Sequence, residues 1–298
     1  MMRSGELVKN KHIIKNYTMK FKSLLLATLL AMASCSDNDE LPVDNSQQTI
    51  TENTSKISWN YPVLSPVFNG LEQNYMFEYD AQGRISKKIG GILKSSGASG
   101  APDRFTNLIY TKISYTGNTA VVGNYSSDPS FNVQLNEKKF EFDNQGRVIK
   151  VVIQQVNNSY MDKYLTYTYD ASGKLIEILT QYPNVPYDPT DPQDYILTYV
   201  EKFIYNTSGN LEKAIKTEKH NNIDAYVTNE ITLDNFDSAQ NPFKNLGVFE
   251  DYFYFSLSKN NPQRMISKEY KPYSSEFFLS QSNWTNQYNS DGSMKLFY

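Results

Sequence analysis

Apolar and polar positions along this chain fall into one short phrase that recurs. Phe77-Glu78-Tyr79-Asp80-Ala81-Gln82-Gly83-Arg84-Ile85 is the first copy, followed by Phe140-Glu141-Phe142-Asp143-Asn144-Gln145-Gly146-Arg147-Val148. Tyr167-Thr168-Tyr169-Asp170-Ala171-Ser172-Gly173-Lys174-Leu175 and Phe203-Ile204-Tyr205-Asn206-Thr207-Ser208-Gly209-Asn210-Leu211 repeat it. Asn286-Gln287-Tyr288-Asn289-Ser290-Asp291-Gly292-Ser293-Met294 is a weaker copy, and Tyr115-Thr116-Gly117-Asn118 a shortened one. Ring–x–ring alternation places both aromatics on one face of a strand. Asp or Asn then opens a turn by accepting from backbone N–H two residues on. The Gly three places later supplies the positive φ that a type I turn with a following bulge requires. Each phrase therefore reads as a β-hairpin, with Asp80, Gly83, Asp143, Gly146, Asp170, Gly173, Asn206, Gly209, Asn289 and Gly292 as its corners.

About 14 strand-like runs follow residue 55, among them 72–80, 84–89, 106–115, 131–142, 147–156, 163–169, 174–180, 195–205, 211–217, 225–234, 248–257 and 263–270. No long stretch has helical periodicity with caps. The expectation is an all-β, antiparallel up-and-down meander of about 14 strands, curled into a barrel or open barrel.

The N-terminal pattern differs. Lys20 and Lys22 precede an apolar run from Leu24 to Ala31, too short for a bilayer span of roughly 20 residues. It reads as a secretory signal over 1–34, with 1–18 an upstream extension before Met19. Met32-Ala33-Ser34-Cys35 resembles a bacterial lipobox, which implies acylation of Cys35, with Met32 standing where such boxes prefer Leu. Ser36-Asp37-Asn38-Asp39-Glu40 resembles the acidic export signal of Bacteroidetes surface lipoproteins. Residues 35–55 read as a flexible tether and 56–298 as one domain. The expected location is the outer membrane, lipid-anchored, facing the cell surface.

The hairpin phrase is similar to the YD repeats of Rhs-type proteins, which wind into a large shell. Here the corner glycines are irregularly spaced and too few for a closed shell. With the lipobox and Asn241-Pro242-Phe243-Lys244-Asn245, the chain more nearly resembles a Bacteroidetes lipoprotein family of unknown function with a porin-like fold. That resemblance implies a curled sheet and no established activity.

Composition narrows the functions. Removing 1–34 takes six basic residues and one acid from the chain's 29 and 32, leaving 23 against 31 and a net charge of −8. Nucleic-acid binding loses its basic footprint. Cys35 is the only cysteine of the 298 residues, so neither a disulfide nor a Cys zinc site is expected, and no cofactor is. His220 lies in a polar run and reads as a surface loop residue. Asp188, Asp191 and Asp194 have oxygen ligands for Ca²⁺ but miss the EF-hand spacing, so Pro183–Asp194 reads as an exposed loop. Gly90–Arg104, rich in Ser and Gly, reads as a mobile loop. Asp237-Ser238-Ala239 resembles a short O-glycosylation motif.

The 23 Tyr and 16 Phe fit sheet packing or stacking on sugars. The leading expectation is a non-enzymatic binding or scaffold protein. Its partners are a lipid membrane, reached through acylated Cys35, and a carbohydrate or peptide ligand. One alternative is a glycan hydrolase using two carboxylates. The other is a membrane-spanning barrel, which C-terminal Tyr298 recommends. Against spanning, strict alternation puts Ile85-Lys87-Ile89, Val148-Lys150-Val152, Leu175-Glu177-Leu179 and Leu211-Lys213-Ile215 each on one face, charge included.

Overall fold

The structure, a computed structural model, describes residues 53–62, 73–93, 104–130, 133, 136–155 and 157–297. The signal segment, Cys35, residues 94–103 and Tyr298 lie outside the described residues. All described residues belong to one unit, Ile50–Tyr298.

Fourteen strands form one antiparallel sheet in chain order. They are β1 (Lys56–Ser58), β2 (Asn74–Tyr79), β3 (Ile85–Leu93), β4 (Arg104–Thr116), β5 (Thr119–Ser126), β6 (Lys138–Phe142) and β7 (Val148–Ile153). Then come β8 (Lys163–Tyr169), β9 (Leu175–Gln181), β10 (Leu197–Tyr205), β11 (Leu211–His220), β12 (Ile223–Asp234), β13 (Arg264–Tyr270) and β14 (Phe277–Asn283). The sheet is open: β1 pairs with β2 and β14 with β13. The C-terminal segment comes back to β1, where Ser58 N–H donates to Leu296 O at 2.8 Å.

The corners work as small hydrogen-bonded units. Gly83, Gly146, Gly173, Gly209 and Gly292 have φ of +74°, +77°, +83°, +86° and +83°. Each donates its N–H to the carbonyl three residues back, on Asp80, Asp143, Asp170, Asn206 and Asn289. Asp143 Oδ1 accepts from Gln145 N and Arg147 N, both at 2.9 Å, and Arg147 Nε reaches Oδ2 at 2.7 Å. These bonds, Arg147 N first, hold the Asp143 carboxyl below the usual carboxylate range.

A bulge follows each of the first four corners, and it overturns the strict alternation read from sequence. Glu78 pairs with Lys87 but Tyr79 with Ile85, so Ser86 is an extra residue. Ile149, Ile176 and Glu212 are extra in the same way. The inward positions are therefore spaced by three: Ile85 and Lys88, Val148 and Val151, Leu175 and Ile178, Leu211 and Ala214. Most of these are buried at 8% exposure or less, and Val148 packs against the same core. Lys87, Lys150, Glu177 and Lys213 point outward instead. There the three lysines join cross-strand pairs, Lys87–Glu78 and Lys150–Glu141 at 3.7 Å and Lys213–Glu230 at 3.5 Å.

The run 248–257 is not a strand. It belongs to the connection 235–263 between β12 and β13, which fills the concave face of the sheet as a plug. A 3₁₀ turn (Glu250–Tyr252) leads into a single α turn, α1 (Phe253–Ser256). Phe243, Leu246, Phe249, Tyr252 and Phe255 are buried at 0–8% exposure. Phe77 of β2 meets Phe249 and Tyr252 at 5.9 Å between centroids, and Phe203 of β10 meets Phe253 at 6.0 Å. Asn241, 1% exposed, folds the plug on itself. Its Nδ2 donates to Phe255 O at 2.7 Å and Ser258 O at 2.8 Å, and its Oδ1 accepts from Phe243 N at 2.8 Å. An open curled sheet would leave its aromatic face wet, and the plug supplies the apolar surface that covers it.

Candidate functional site

The meander sorts its connections between two ends. The Asp-x-x-Gly corners of β2–β3, β6–β7 and β8–β9 and the Asn206 corner of β10–β11 lie at one end. The β9–β10 connection, the β11–β12 turn and the β13–β14 turn meet at the other, where loops are free to carry recognition. The β11–β12 turn is Asn221-Asn222, with φ of +52° and +67°, the left-handed pair that a tight two-residue hairpin needs.

Beside that turn lies a buried carboxylate network. Glu218 of β11 is 7% exposed, between Tyr199 of β10 and Tyr226 of β12. Its Oε2 accepts from both phenols at 2.9 Å, and its Oε1 lies 2.8 Å from His220 Nε2. Burial would raise the Glu218 carboxyl, but the His220, Tyr199 and Tyr226 bonds outweigh it and hold it low. Burial and the same carboxylate push the Tyr226 phenol up to about 12. His220 is thus no loop residue. It ends β11, and its ring stacks on Tyr195 with centroids 3.6 Å apart.

β12 pairs with β11 along its length but with β13 only from Asn229 onward. Above that point the two strands are unpaired, and a cleft of about 550 Å³ lies beside the β13–β14 turn. Tyr226, Tyr270 and Tyr273 line it with Ile215, Val227, Glu230, Ser274 and Ser275. Tyr273 is the unusual member. It follows Pro272 in a turn closed by Ser274 N–H to Lys271 O at 3.1 Å. Its φ is +54°, where such a turn ordinarily takes Gly or Asn. It is 71% exposed, and its ring lies 4.8 Å from that of Tyr226. A bulky side chain held in the left-handed region costs about 1–3 kcal/mol, and such strain gathers at ligand clamps.

A second inward carboxylate, Glu201 of β10, sits two positions along the concave face from Tyr199. Tyr254 of the plug donates its hydroxyl to Glu201 Oε1 at 2.7 Å. Burial raises the Glu201 carboxyl above its ordinary value, against Tyr254 and Lys216.

Other positions singled out from sequence fall elsewhere. Asp188 and Asp191 cap successive turns of their own loop, Thr190 N donating to Asp188 Oδ1 and Gln193 N to Asp191 Oδ1, both at 2.8 Å, and Asp194 Oδ2 accepts from Asp188 N at 2.7 Å. No group of three metal-ligating side chains occurs among the described residues. Gly90–Leu93 is not loop but the end of β3. Asp237 accepts from Tyr288 Oη and from Asn286 Nδ2, tying the C-terminal segment to the plug.

No family model matches the chain, and no curated protein matches it. Among solved structures, it is similar to a porin-like protein from Bacteroides uniformis, at 13% identity and a TM-score of 0.43 over 80% of this chain and 87% of that one. A porin-like protein from Bacteroides vulgatus is similar at 14% identity and 0.42, over 75% and 86%.

Proposed function

We propose that this chain is a lipid-anchored outer-membrane protein that binds carbohydrate in the tyrosine-lined cleft beside the β13–β14 turn. The observation that carries the reading is Tyr273: an exposed aromatic at a backbone position that disfavours it, set against Tyr226 over an open cleft. Flat phenol faces suit the C–H face of a sugar ring, while Ser274, Ser275 and Glu230 offer polar partners for its hydroxyls. A peptide strand fits less well, because β11 and β12 bulge twice here and twist the free edge of β12. Anchoring rests on the lipobox at Cys35. Spanning is disfavoured because Lys87, Lys150 and Lys213 face outward, and a lipid-facing Lys at the midplane costs about 2–4 kcal/mol.

The opposite shifts of Glu201 and Glu218 are the feature that favours a two-carboxylate hydrolase. Both Glu218 oxygens, however, already accept hydrogen bonds, which makes it a clamp for Tyr199 and Tyr226 rather than a base.

The test is a glycan array probed with the soluble Cys35→Ala form, followed by titration of the best binder. Tyr273→Gly should weaken that binding about tenfold, equivalent to 1.4 kcal/mol, while leaving Tm unchanged or higher. Unchanged affinity in that variant, or no glycan bound by the parent, contradicts the reading.

A further inference from the structure

We propose that the concave face carries a second site, an oxyanion pocket at Lys88 and Lys138, which the plug's own Glu250 and Asp251 occupy as built-in ligands. The pocket, of about 240 Å³, lies between β3–β6 and the plug corner 248–251. Lys88 of β3 points inward because the bulge at Ser86 spaces the inward positions by three. It is 8% exposed, with its ammonium 4.4 Å from the Tyr75 ring centroid, 5.4 Å from Phe249 and 5.6 Å from Tyr252. A cation so placed needs a negative partner, since an uncompensated buried charge is strongly destabilising. Asp251 Oδ2 supplies it at 2.5 Å, and Glu250 pairs in the same way with Lys138.

The asymmetry of burial is what identifies a site rather than a fixed strut. The two ammonium groups are sheltered, with side chains 10% and 27% exposed, whereas the Asp251 and Glu250 side chains are 59% and 83% exposed. Each acid is a neighbour on one exposed corner. Each can rotate into water when an incoming oxyanion takes its place beside the lysine, so that the sheltered charge stays compensated. The cations remain, with Asn124, Asn136 and Thr111 lining the same pocket. Two sheltered cations with neighbouring side-chain amides make a receptor for a small oxyanion, the Thr111 hydroxyl being already committed to Asn124 Oδ1 at 2.7 Å. Sulfate, phosphate and the carboxylate of a sugar acid share that chemistry. The pocket is separate from the tyrosine cleft and does not depend on it.

The test uses the full chain, titrated with sodium sulfate, sodium phosphate and sodium glucuronate. Sodium chloride holds ionic strength constant, and binding is read by calorimetry and Tm. At least one of the three should bind and raise Tm above the chloride control, and the one that binds names the source. The Glu250→Gln/Asp251→Asn variant should bind it at least tenfold more tightly, because the internal competitor is gone, and Lys138→Gln more weakly. Should the double variant unfold in chloride, recovery of its melt in one oxyanion supports the site. If it folds in no salt, Glu250→Gln alone decides, by tighter binding for the proposal or unchanged affinity against it. Indifference of both the parent and the variants to oxyanion identity overturns the proposal and leaves the ion pairs as a latch.

Discussion

Gly146 isolates the backbone contribution of the recurring corner. A Cβ built there meets nothing within 4 Å, whereas one at Gly173 lies 3.5 Å from Arg147 Nη1. Substitution at Gly146 therefore tests φ alone. Holding a non-glycine residue at φ +77° costs about 1–2 kcal/mol, with a β-branched side chain at the upper end. Loss of glycine's freedom in the unfolded chain returns about 0.4–1 kcal/mol when strain is absent, and Asn tolerates the left-handed region. Gly146→Val should accordingly lower stability by about 1–2 kcal/mol, and Gly146→Asn by less than half of that. In a domain of this size 1 kcal/mol moves Tm by about 2–4 °C. Urea melts followed by circular dichroism measure both, and an unchanged m-value shows that the unfolded ensemble is the same. If Val and Asn match the glycine parent, the corner is not left-handed. If both fall equally, a clash rather than φ is responsible. Either result refutes the reasoning.

Two further variants probe the plug and its contact with the wall. Asn241→Ala removes its bonds to the Phe255 and Ser258 carbonyls and strands the buried N–H of Phe243, and should cost about 2–4 kcal/mol, seen as a lower urea midpoint. Glu201→Gln keeps an acceptor for Tyr254 but removes the buried charge. A carboxyl raised in the folded chain contributes most below its ordinary value of 4.5, and that contribution is lost as pH rises through the folded value. Glu201→Gln should therefore raise Tm at pH 7, with the gain vanishing near pH 4. A gain of the same size at both pH values means that charge burial is not the cause.

The hairpins are legible because their information is local: Asp, Gly and the flanking rings lie within nine residues. The extra residue one step into the returning strand is not, since a strand's start carries no mark distinguishing Ile85-Lys87 from Ile85-Lys88 as the inward pair until partners are known. Val248–Leu257 misleads because a dense apolar run reads alike as buried strand or buried helix. Only its position between β12 and β13, with the concave face to fill, decides. The weak edges β1 and β14 are absent from the named runs for a related reason. One is three residues long, and the other, Phe277–Asn283, ends in polar residues without a corner glycine. The cleft is the least legible feature. Tyr226 and Tyr273 are ordinary tyrosines until the β13–β14 turn sets their rings 4.8 Å apart, although Pro272-Tyr273-Ser274 carries a faint local sign in a turn that lacks its glycine.

The filled concave face and the oxyanion pocket both depend on the plug being packed into the sheet, and native-state hydrogen exchange tests this directly. The amides of Phe243, Leu246, Phe249 and Tyr252 each donate a hydrogen bond of 2.8–3.1 Å within the plug. Their exchange should be as slow as that of core amides in β10 and β11, and should accelerate only with global unfolding in urea. Exchange of these four amides within seconds, while the strands stay protected, contradicts the account.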